Sequence, residues 1–174
     1  LSLHTELMQK VAQSGKRIIG DIELFAEAVN SPVLAITGSN GKSTVTSLLG
    51  EMIAADGKKV AVGGNIGVPA LDLLADDVEL YVLELSSYQI DITHSLSCDA
   101  AALINLSPDH LDRYDGYAGY VASKARLFDM QTGKTHSVFG KGDADTEQVY
   151  RDCLARRGAD LVHLADPALV LGQA

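Results

Sequence analysis

One stretch of the sequence decides the fold: Val33-Leu34-Ala35-Ile36-Thr37-Gly38-Ser39-Asn40-Gly41-Lys42-Ser43-Thr44. Its first five residues are apolar or β-branched, which is typical of a buried strand. Glycines then interrupt the strand, and a helical pattern follows over residues 43–56. A strand that passes through a glycine-rich turn into a helix predicts a phosphate-binding loop, because glycines let the backbone approach phosphate oxygens and the helix N-terminus supplies N–H donors.

The loop over residues 38–44 also carries the side chains expected for a nucleoside triphosphate. Lys42 is placed to reach the β- and γ-phosphates, and the hydroxyl of Ser43 or Thr44 is placed to bind magnesium. The usual pattern has a glycine six residues before the lysine, where this chain has Ile36, so we expect a shortened variant. The alternative is an ordinary glycine turn that caps a helix. The residues assigned to the triphosphate are Gly38, Ser39, Asn40, Gly41, Lys42, Ser43 and Thr44.

Short β-branched runs alternate with helical patterns along the rest of the chain. Helices are predicted over residues 3–14, 22–29, 43–56, 69–75, 117–130 and 146–157, and strands over residues 17–19, 33–37, 59–62, 79–85, 99–105, 137–139 and 160–164. Asp21 is expected to cap the second helix, with Leu24 and Phe25 facing inward. This alternation implies βαβ units, so we expect an α/β fold with a mostly parallel sheet and helices on both faces, as in P-loop NTPases.

Composition excludes several classes of protein. The chain has 174 residues, of which 47% are hydrophobic and 21% are charged, so it can form a globular domain with a largely aliphatic core. Its formal net charge of −9 argues against a nucleic-acid-binding surface. No apolar run is long enough for a membrane-spanning helix. Cys98 and Cys153 lie far apart in apolar segments, which indicates buried free thiols in a reducing compartment.

Polar residues follow the other predicted strands, and in parallel sheets the carboxyl ends of strands meet at one edge. Asn65, in the stretch Gly63-Gly64-Asn65-Ile66-Gly67, can offer its amide to a ligand, although such a stretch alone is as typical of a tight turn. Glu84 ends an apolar strand and is a candidate second anchor for magnesium. The alternative is that Glu84, Ser86 and Ser87 form a cluster that caps a helix.

The local sequence pattern does not decide the roles of two further residues, His110 and Lys124. His110 lies in the loop Asp109-His110-Leu111-Asp112-Arg113-Tyr114 and can bind a metal there. A lone histidine in a loop usually has no such role. Lys124 lies in a predicted helix, and by composition alone it is a solvated surface charge.

Taken in order, these segments resemble the Mur ligase family, whose other branch is folylpolyglutamate synthase. The segments are Gly38-Ser-Asn-Gly-Lys-Ser-Thr44, Gly63-Gly-Asn-Ile-Gly67, Glu84-Leu-Ser-Ser87 and Asp109-His-Leu-Asp-Arg-Tyr114, followed by Lys124 fourteen residues after His110. Details such as Ser86-Ser-Tyr-Gln89 and Gly20-Asp-Ile-Glu-Leu-Phe25 are most similar to the member that uses D-glutamate. The similarity covers roughly residues 16–130.

The resemblance implies a role for each candidate residue. Ser43 and Glu84 would bind a first Mg²⁺ ion beside ATP, and His110 would bind a second. Lys124 resembles the family lysine that carbon dioxide converts to a carbamate (N6-carboxylysine), which helps to hold the second metal. The residues that resemble contacts of the muropeptide substrate are Asn65, Ser86 and Gln89. The residues that the resemblance makes catalytic are Lys42, Glu84, His110 and Lys124.

The resemblance also implies an activity. It is that of an ATP-dependent amide ligase that adds D-glutamate to UDP-N-acetylmuramoyl-L-alanine through an acyl phosphate, in the peptidoglycan precursor synthesis of the cytoplasm. The partners would be these two substrates, with no nucleic acid and no membrane, and the protein would be a monomer. Residues 1–20 would end an N-terminal UDP-binding domain, and residues 21–174 would form a truncated central ATP-binding domain. The C-terminal amino-acid-binding domain would be absent, so the fragment alone would be inactive.

Two alternatives stay open at this point. The chain could come from another Mur or folylpolyglutamate-type ligase, because the domain that selects the amino acid is not matched. It could also be a nucleotide-binding fragment without activity of its own. Residues 140–145 depart from the turn that the family has after the corresponding strand, which leaves the adenine-binding residues unassigned.

Overall fold

Six parallel strands form one sheet in the order β2-β3-β1-β4-β5-β6. The computed structural model describes residues 5–109 and 113–166. Its strands are β1 (Val33–Thr37), β2 (Val60–Gly64), β3 (Leu80–Glu84), β4 (Ala100–Leu103), β5 (His136–Gly140) and β6 (Val162–Ala165). Its helices are α1 (Glu6–Gln13), α2 (Asp21–Ala28), α3 (Lys42–Ala55), α4 (Ser87–Asp91), α5 (Gly116–Asp129) and α6 (Ala144–Arg157), with a short 3-10 helix at Ala70–Leu73. The predicted α/β fold with a parallel sheet is confirmed.

The position of β1 brings the functional segments together. β1 pairs with β3 on one side and with β4 on the other, although both of these strands come later in the chain. The loops that leave the carboxyl ends of β1, β3 and β4 therefore lie next to one another. β2 lies beyond β3, so the loop that follows it joins the same edge. In the part of the chain that the structure describes, no helix is long and apolar enough to cross a membrane.

The core is aliphatic with a few aromatic contacts. Phe25 on α2 packs edge-on against Tyr81 on β3, with ring centroids 5.1 Å apart. Phe128 on α5 packs against Phe139 on β5 at 4.5 Å. These pairs attach helices to different parts of the sheet, and such aromatic pairs add to the burial of apolar area. Both cysteines are free and buried, as expected.

Helix α2 begins differently from the prediction. Asp21 is the first residue of the helix and not its cap, because the N-cap is Gly20 and no side chain caps the helix there. Phe25 is fully buried as expected, but Leu24 is 43% exposed. Consecutive helical positions point about 100° apart, so only one of the two neighbours faces the sheet fully.

Three other elements differ from the sequence-based expectation. Residues 17–19 form no strand, and the carbonyl oxygen of Ile18 lies 3.2 Å from Nε2 of His94 instead of in a sheet ladder. The helix predicted over residues 69–75 is a single 3-10 turn. The five-residue helix α4 is not among the predicted helices, but the alternative of a helix-capping cluster at residues 84–87 is confirmed for Ser86, which caps α4 in a capping box with Gln89.

Candidate functional site

The loop between β1 and α3 has the backbone shape of an anion-binding turn. Gly38 has a φ of 147° and Gly41 a φ of 79°, values that L side chains rarely adopt. A Cβ atom on Gly38 would lie 2.5 Å from Cγ1 of Ile104, so the loop is also packed against the end of β4. Helix α3 begins at Lys42, and its first N–H groups have no partner within the helix. These N–H groups are the donors that a phosphate group would use.

Residues after β4 hold this loop in place. The backbone N–H groups of Ser39 and Asn40 donate to the carbonyl and side-chain oxygens of Asn105, each at 2.9 Å. Asn105 donates in return to the Asn40 carbonyl at 2.9 Å. The Ser39 hydroxyl donates to the Ser107 carbonyl and accepts from the Ser107 N–H, at 3.1 and 2.9 Å. Asn105 and Ser107 therefore preorganise the loop, a role that sequence reasoning missed.

Glu84 is the centre of the predicted magnesium site. It is only 2% exposed at the end of β3. Ser43 Oγ donates to one carboxylate oxygen at 2.7 Å, and the Asn65 amide donates to the other at 2.8 Å. Ser43 at the start of α3 and Asn65 after β2 thus meet at the carboxylate that ends β3, and all three are predicted site residues. The hydroxyl and carboxylate oxygens of Ser43 and Glu84 are ligands that Mg²⁺ prefers.

Lys124 is not the solvated charge that composition alone indicates. It lies on α5 with only 2% of its surface exposed. Its Nζ is 3.3 Å from the Thr37 hydroxyl and 4.9 Å from the centre of the Tyr120 ring. Burial and, after it, the positive charge of Lys42 lower the pKa of Lys124 to about 7. A large fraction of this amine is therefore neutral near physiological pH.

Lys42 and Thr44 stand at the start of α3. Lys42 is half-buried and donates to the carbonyl of Ser39, 3.0 Å away in the same loop. Thr44 is exposed. Because the Lys42 amine bends back over its own loop, it lies on the side where the N–H groups of the loop could receive a phosphate.

Ser86 and Gln89 bond to each other. The N–H of Gln89 donates to the Ser86 hydroxyl at 3.3 Å, and the N–H of Ser86 donates to Oε1 of Gln89 at 3.1 Å. This capping box starts α4 directly after β3. Ser86 and Gln89 are two and five residues after Glu84 in the chain, so the capping box lies at the same edge of the sheet as that carboxylate.

His110 lies outside the described residues, so its prediction as a metal ligand stays a prediction. Within residues 5–109 and 113–166, no three His, Cys, Asp or Glu side chains form a group that could hold a metal ion. The donor set brought together here is instead one carboxylate and one hydroxyl, from Glu84 and Ser43.

Tyr120 is a second residue that sequence reasoning missed. Its hydroxyl lies 3.0 Å from Oγ of Ser39, and its ring lies under the Lys124 amine. It therefore connects helix α5 to the phosphate-binding loop. Tyr120 precedes Lys124 by four residues, and this helical spacing, which puts two side chains on one face, is the signal that could have found it.

Residues 36–163 match the family described as the Mur ligase middle domain. A UDP-N-acetylmuramoylalanine--D-glutamate ligase of Novosphingobium aromaticivorans is 54% identical over 165 residues, which are 92% of this chain and 37% of that protein. The Pseudomonas aeruginosa protein of the same name is 53% identical over 152 residues, which are 87% of this chain and 33% of that protein. The chain thus spans about a third of the length of these curated relatives.

Solved structures share the fold. MurF from Acinetobacter baumannii superimposes with a TM-score of 0.61 at 21% identity, over 82% of this chain and 32% of that one. The UDP-N-acetylmuramate:L-alanyl-gamma-D-glutamyl-meso-diaminopimelate ligase from Neisseria meningitides gives a TM-score of 0.60 at 17% identity, over 95% of this chain and 55% of that one. At this level of identity the likeness concerns the architecture alone.

Proposed function

Because this chain belongs to the Mur ligase middle-domain family, we propose that it is the ATP-binding part of a ligase that joins D-glutamate to UDP-N-acetylmuramoyl-L-alanine. The observation that supports this most directly is the meeting of Ser43 and Asn65 at the buried carboxylate of Glu84, beside the phosphate-binding loop. Substrates are assigned by similarity to relatives that carry this name.

The proposed reaction activates a carboxylate. A carboxylate oxygen of the L-alanyl substrate attacks the γ-phosphorus of ATP, the bond to the bridging oxygen breaks, and ADP leaves. The amine of D-glutamate then attacks the acyl phosphate, and inorganic phosphate leaves with formation of the amide. The first step brings two anions together, so positive charge must offset their repulsion. Lys42 and the N-terminus of α3 supply such charge at the phosphate-binding loop.

The residues around Glu84 fit a magnesium ion. Ser43 and Glu84 would hold it, because their oxygens already lie 2.7 Å apart and Glu84 is shielded from bulk water. Magnesium would neutralise charge on the phosphate oxygens. Asn65 keeps the Glu84 carboxylate oriented through its amide. His110 is the proposed ligand for a second ion.

The environment of Lys124 fits the carbamate that we propose for it. Carbon dioxide reacts only with a neutral amine, and burial lowers the pKa of Lys124 to about 7. The reaction forms a nitrogen–carbon bond and releases one proton. It replaces the neutral amine with an anion that carries two oxygens, which would be able to bind the second magnesium ion.

We also propose a place for this chain within a larger protein. Residues 1–20 end a domain that binds the UDP part of the substrate, residues 21–174 form the central domain, and a further domain brings D-glutamate. The enzyme acts in the cytoplasm as a monomer. Ser86 and Gln89 contact the muropeptide substrate from the start of α4.

The test is phosphate release by the full-length protein. It is incubated with ATP, Mg²⁺, UDP-N-acetylmuramoyl-L-alanine and one candidate amino acid at a time. We expect phosphate and ligated product with D-glutamate. Release with L-lysine or meso-diaminopimelate, and none with D-glutamate, would refute the assignment and favour another member of the family.

A further inference from the structure

A polar cluster outside the phosphate loop ties α4 to α5. The hydroxyl of Tyr114 donates to the carboxylate of Asp91 at 2.9 Å and lies 3.2 Å from the hydroxyl of Ser123. The single proton of the Ser123 hydroxyl can be donated to this Tyr114 oxygen or to the carbonyl oxygen of Ser87, which lies 3.1 Å away. Ser87 and Asp91 are the first and last residues of α4, and Ser123 lies on α5. We refer to Ser87, Asp91, Tyr114 and Ser123 as the polar clasp.

Helix α4 depends on such contacts. It has only five residues, and an isolated helix of this length is unstable in water. The capping box of Ser86 and Gln89 stabilises its first turn alone. The polar clasp adds an attachment at each end of the helix, and both attachments lead to α5. The position of the α4 N-terminus is therefore set relative to α5 and not only relative to β3.

The α5 end of the clasp is adjacent to Lys124. Ser123 and Lys124 are both buried, with 4% and 2% exposure. Lys124 reaches the hydroxyl of Thr37, which itself donates to the carbonyl of Leu85 at 2.9 Å. Leu85 lies between Glu84 and the cap of α4. A displacement of α4 relative to α5 would thus change the distance between the substrate contacts and the Lys124 amine.

The side chain of Tyr114 contacts α4 and α5 through both its hydroxyl and its ring. The Tyr114 ring stacks on the Tyr88 ring of α4 with centroids 6.0 Å apart, and it meets the Tyr120 ring of α5 edge-on at 5.6 Å. Burial and the negative charge of Asp91 raise the pKa of Tyr114, so its hydroxyl stays protonated and remains a donor over the physiological range. Among the described residues of the clasp, Tyr114 is the one whose hydroxyl lies within hydrogen-bond distance of both Asp91 and Ser123.

We propose that Tyr114 is a positioning residue of the ligase: through Asp91 and Ser123, its hydroxyl sets the distance between the substrate-binding start of α4 and Lys124 on α5. The proposal rests on the proposed function, in which Ser86 and Gln89 contact the muropeptide substrate and Lys124 helps to bind a metal ion. Tyr114 does not touch the reacting atoms. It acts by holding α4 and α5, the two helices whose residues are proposed to contact the substrate and the metal ion.

The test replaces the hydroxyl alone, in the full-length enzyme. Tyr114→Phe should lower kcat about 10-fold or more, because small displacements of reacting groups are costly. It should raise the KM for UDP-N-acetylmuramoyl-L-alanine and leave the KM for ATP within about 2-fold. ATP should be unaffected because Asn105 and Ser107 hold the phosphate loop independently of the clasp. A purely structural loss would change both KM values or neither.

The matched control is Tyr117→Phe, on α5 three residues after Tyr114. The Tyr117 hydroxyl donates to Asp145 at 3.1 Å at an exposed position, away from the clasp. Its ring also lies 6.2 Å from that of Tyr120, and phenylalanine keeps this contact. Tyr117→Phe should match the wild type in kcat and in both KM values. Equal losses in the two variants would overturn the proposal.

A second variant, Asp91→Asn, keeps the test decisive if Tyr114→Phe does not fold. It should show the same pattern in milder form, and adding it to Tyr114→Phe should cause little further loss, because the contact with Asp91 is already broken in that variant. Wild-type kcat in either single variant would exclude the positioning role. Failure of the wild-type enzyme to use D-glutamate would refute the proposed function instead. In that case the role of Tyr114 would be tested with the amino acid that the enzyme does use, from the ratio of the variant rate to the wild-type rate.

Discussion

Lys124 shows how much one side chain can depend on its surroundings. It is a long cationic residue in a helix, yet it is almost fully buried next to Thr37 and Tyr120. A buried amine with a lowered pKa disfavours folding below about pH 7, and this cost falls as the pH rises toward 10.5. A residue kept in an unfavourable place usually serves a function, and the carbamate that we propose would give this one a reason.

At the residue scale, we predict that Lys124→Ala in the full-length enzyme loses activity on the order of 10³-fold or more. The expected loss follows from removal of the group that we propose helps to hold a metal. Added short carboxylic acids should restore part of the rate, because a free carboxylate can occupy the vacated position. Lys124→Arg should not respond, since guanidinium stays cationic and fills the space. The measurement is product formation with increasing acetate. A wild-type rate in Lys124→Ala would remove this residue from the site.

Lys42 allows a second prediction at this scale. Lys42→Ala should abolish ATP turnover by the full-length enzyme, because the amine that we propose binds the phosphates is lost. The fold should survive, since Lys42 is only half-buried and its amine donates a hydrogen bond to the carbonyl of Ser39, three residues away in the same loop. Steady-state phosphate release tests the first part and circular dichroism the second. Normal turnover would show that the loop over residues 38–44 does not bind the triphosphate.

At the scale of elements, a buried carboxylate attaches the start of α2 to distant segments. Glu23 is fully buried and accepts from the N–H groups of His94 and Ser95, at 2.6 and 2.9 Å, and from Arg17. Burial alone would raise the pKa of Glu23, but the two backbone donors and the charge of Arg17 outweigh it and hold the pKa below 4.5. The residues before α2 and the loop after α4 are thereby fastened to one helix.

We predict that Glu23→Gln lowers the free energy of unfolding by about 2 kcal/mol or more near neutral pH, because it removes a charged acceptor from buried donors. The folded-state pKa is depressed, so this stabilisation is present above 4.5 and is lost as the pH falls through the lower folded-state value. The difference between variant and wild type should therefore shrink in acid. Urea unfolding at neutral pH and at about pH 3 measures it.

Glu27 offers the control for this experiment. It lies one turn further along α2 and also pairs with Arg17, at 3.3 Å, but its side chain is 49% exposed. Exposed ion pairs contribute little, so Glu27→Gln should change the free energy of unfolding by less than about 0.5 kcal/mol. Equal effects of the two substitutions would mean that burial and the backbone donors of Glu23 do not matter.

At the scale of the whole molecule, the sheet order explains why one edge collects the functional groups. β1 lies between β3 and β4, so Gly38, Glu84 and Asn105 follow neighbouring strands. The chain nevertheless spans only about a third of the length of its curated relatives. The residues proposed to bind the ATP phosphates thus lie within this chain, while the proposed reaction also needs the domain proposed to bring D-glutamate.

We therefore predict that the 174-residue chain alone forms no ligated product from ATP, UDP-N-acetylmuramoyl-L-alanine and D-glutamate. The physical reason is that the proposed domain which brings D-glutamate is missing, so the amine is not held near the acyl group. Mass spectrometry of the reaction mixture measures the product, with the full-length enzyme as positive control. Product from the short chain would mean that its own residues also bind the amino acid.

Local sequence patterns by themselves determined much of this protein. The run from Val33 to Thr44 predicted β1, the phosphate loop and the start of α3, because strand periodicity, glycine conformation and helix starts depend on neighbouring residues. The alternation of elements predicted a parallel sheet for the same reason. The places of Ser43, Asn65 and Glu84 at one edge followed from that sheet. The resemblance to a family added their roles.

Only the tertiary structure decided the contacts between segments that are far apart in the chain. Asn105 holds Asn40 across 65 positions, and Lys124 meets Thr37 across 87 positions. No local pattern encodes these distances. The burial of Lys124, the role of Tyr120 and the polar clasp around Tyr114 depend on which face of α5 packs toward the site, and that face is selected by packing against the rest of the molecule.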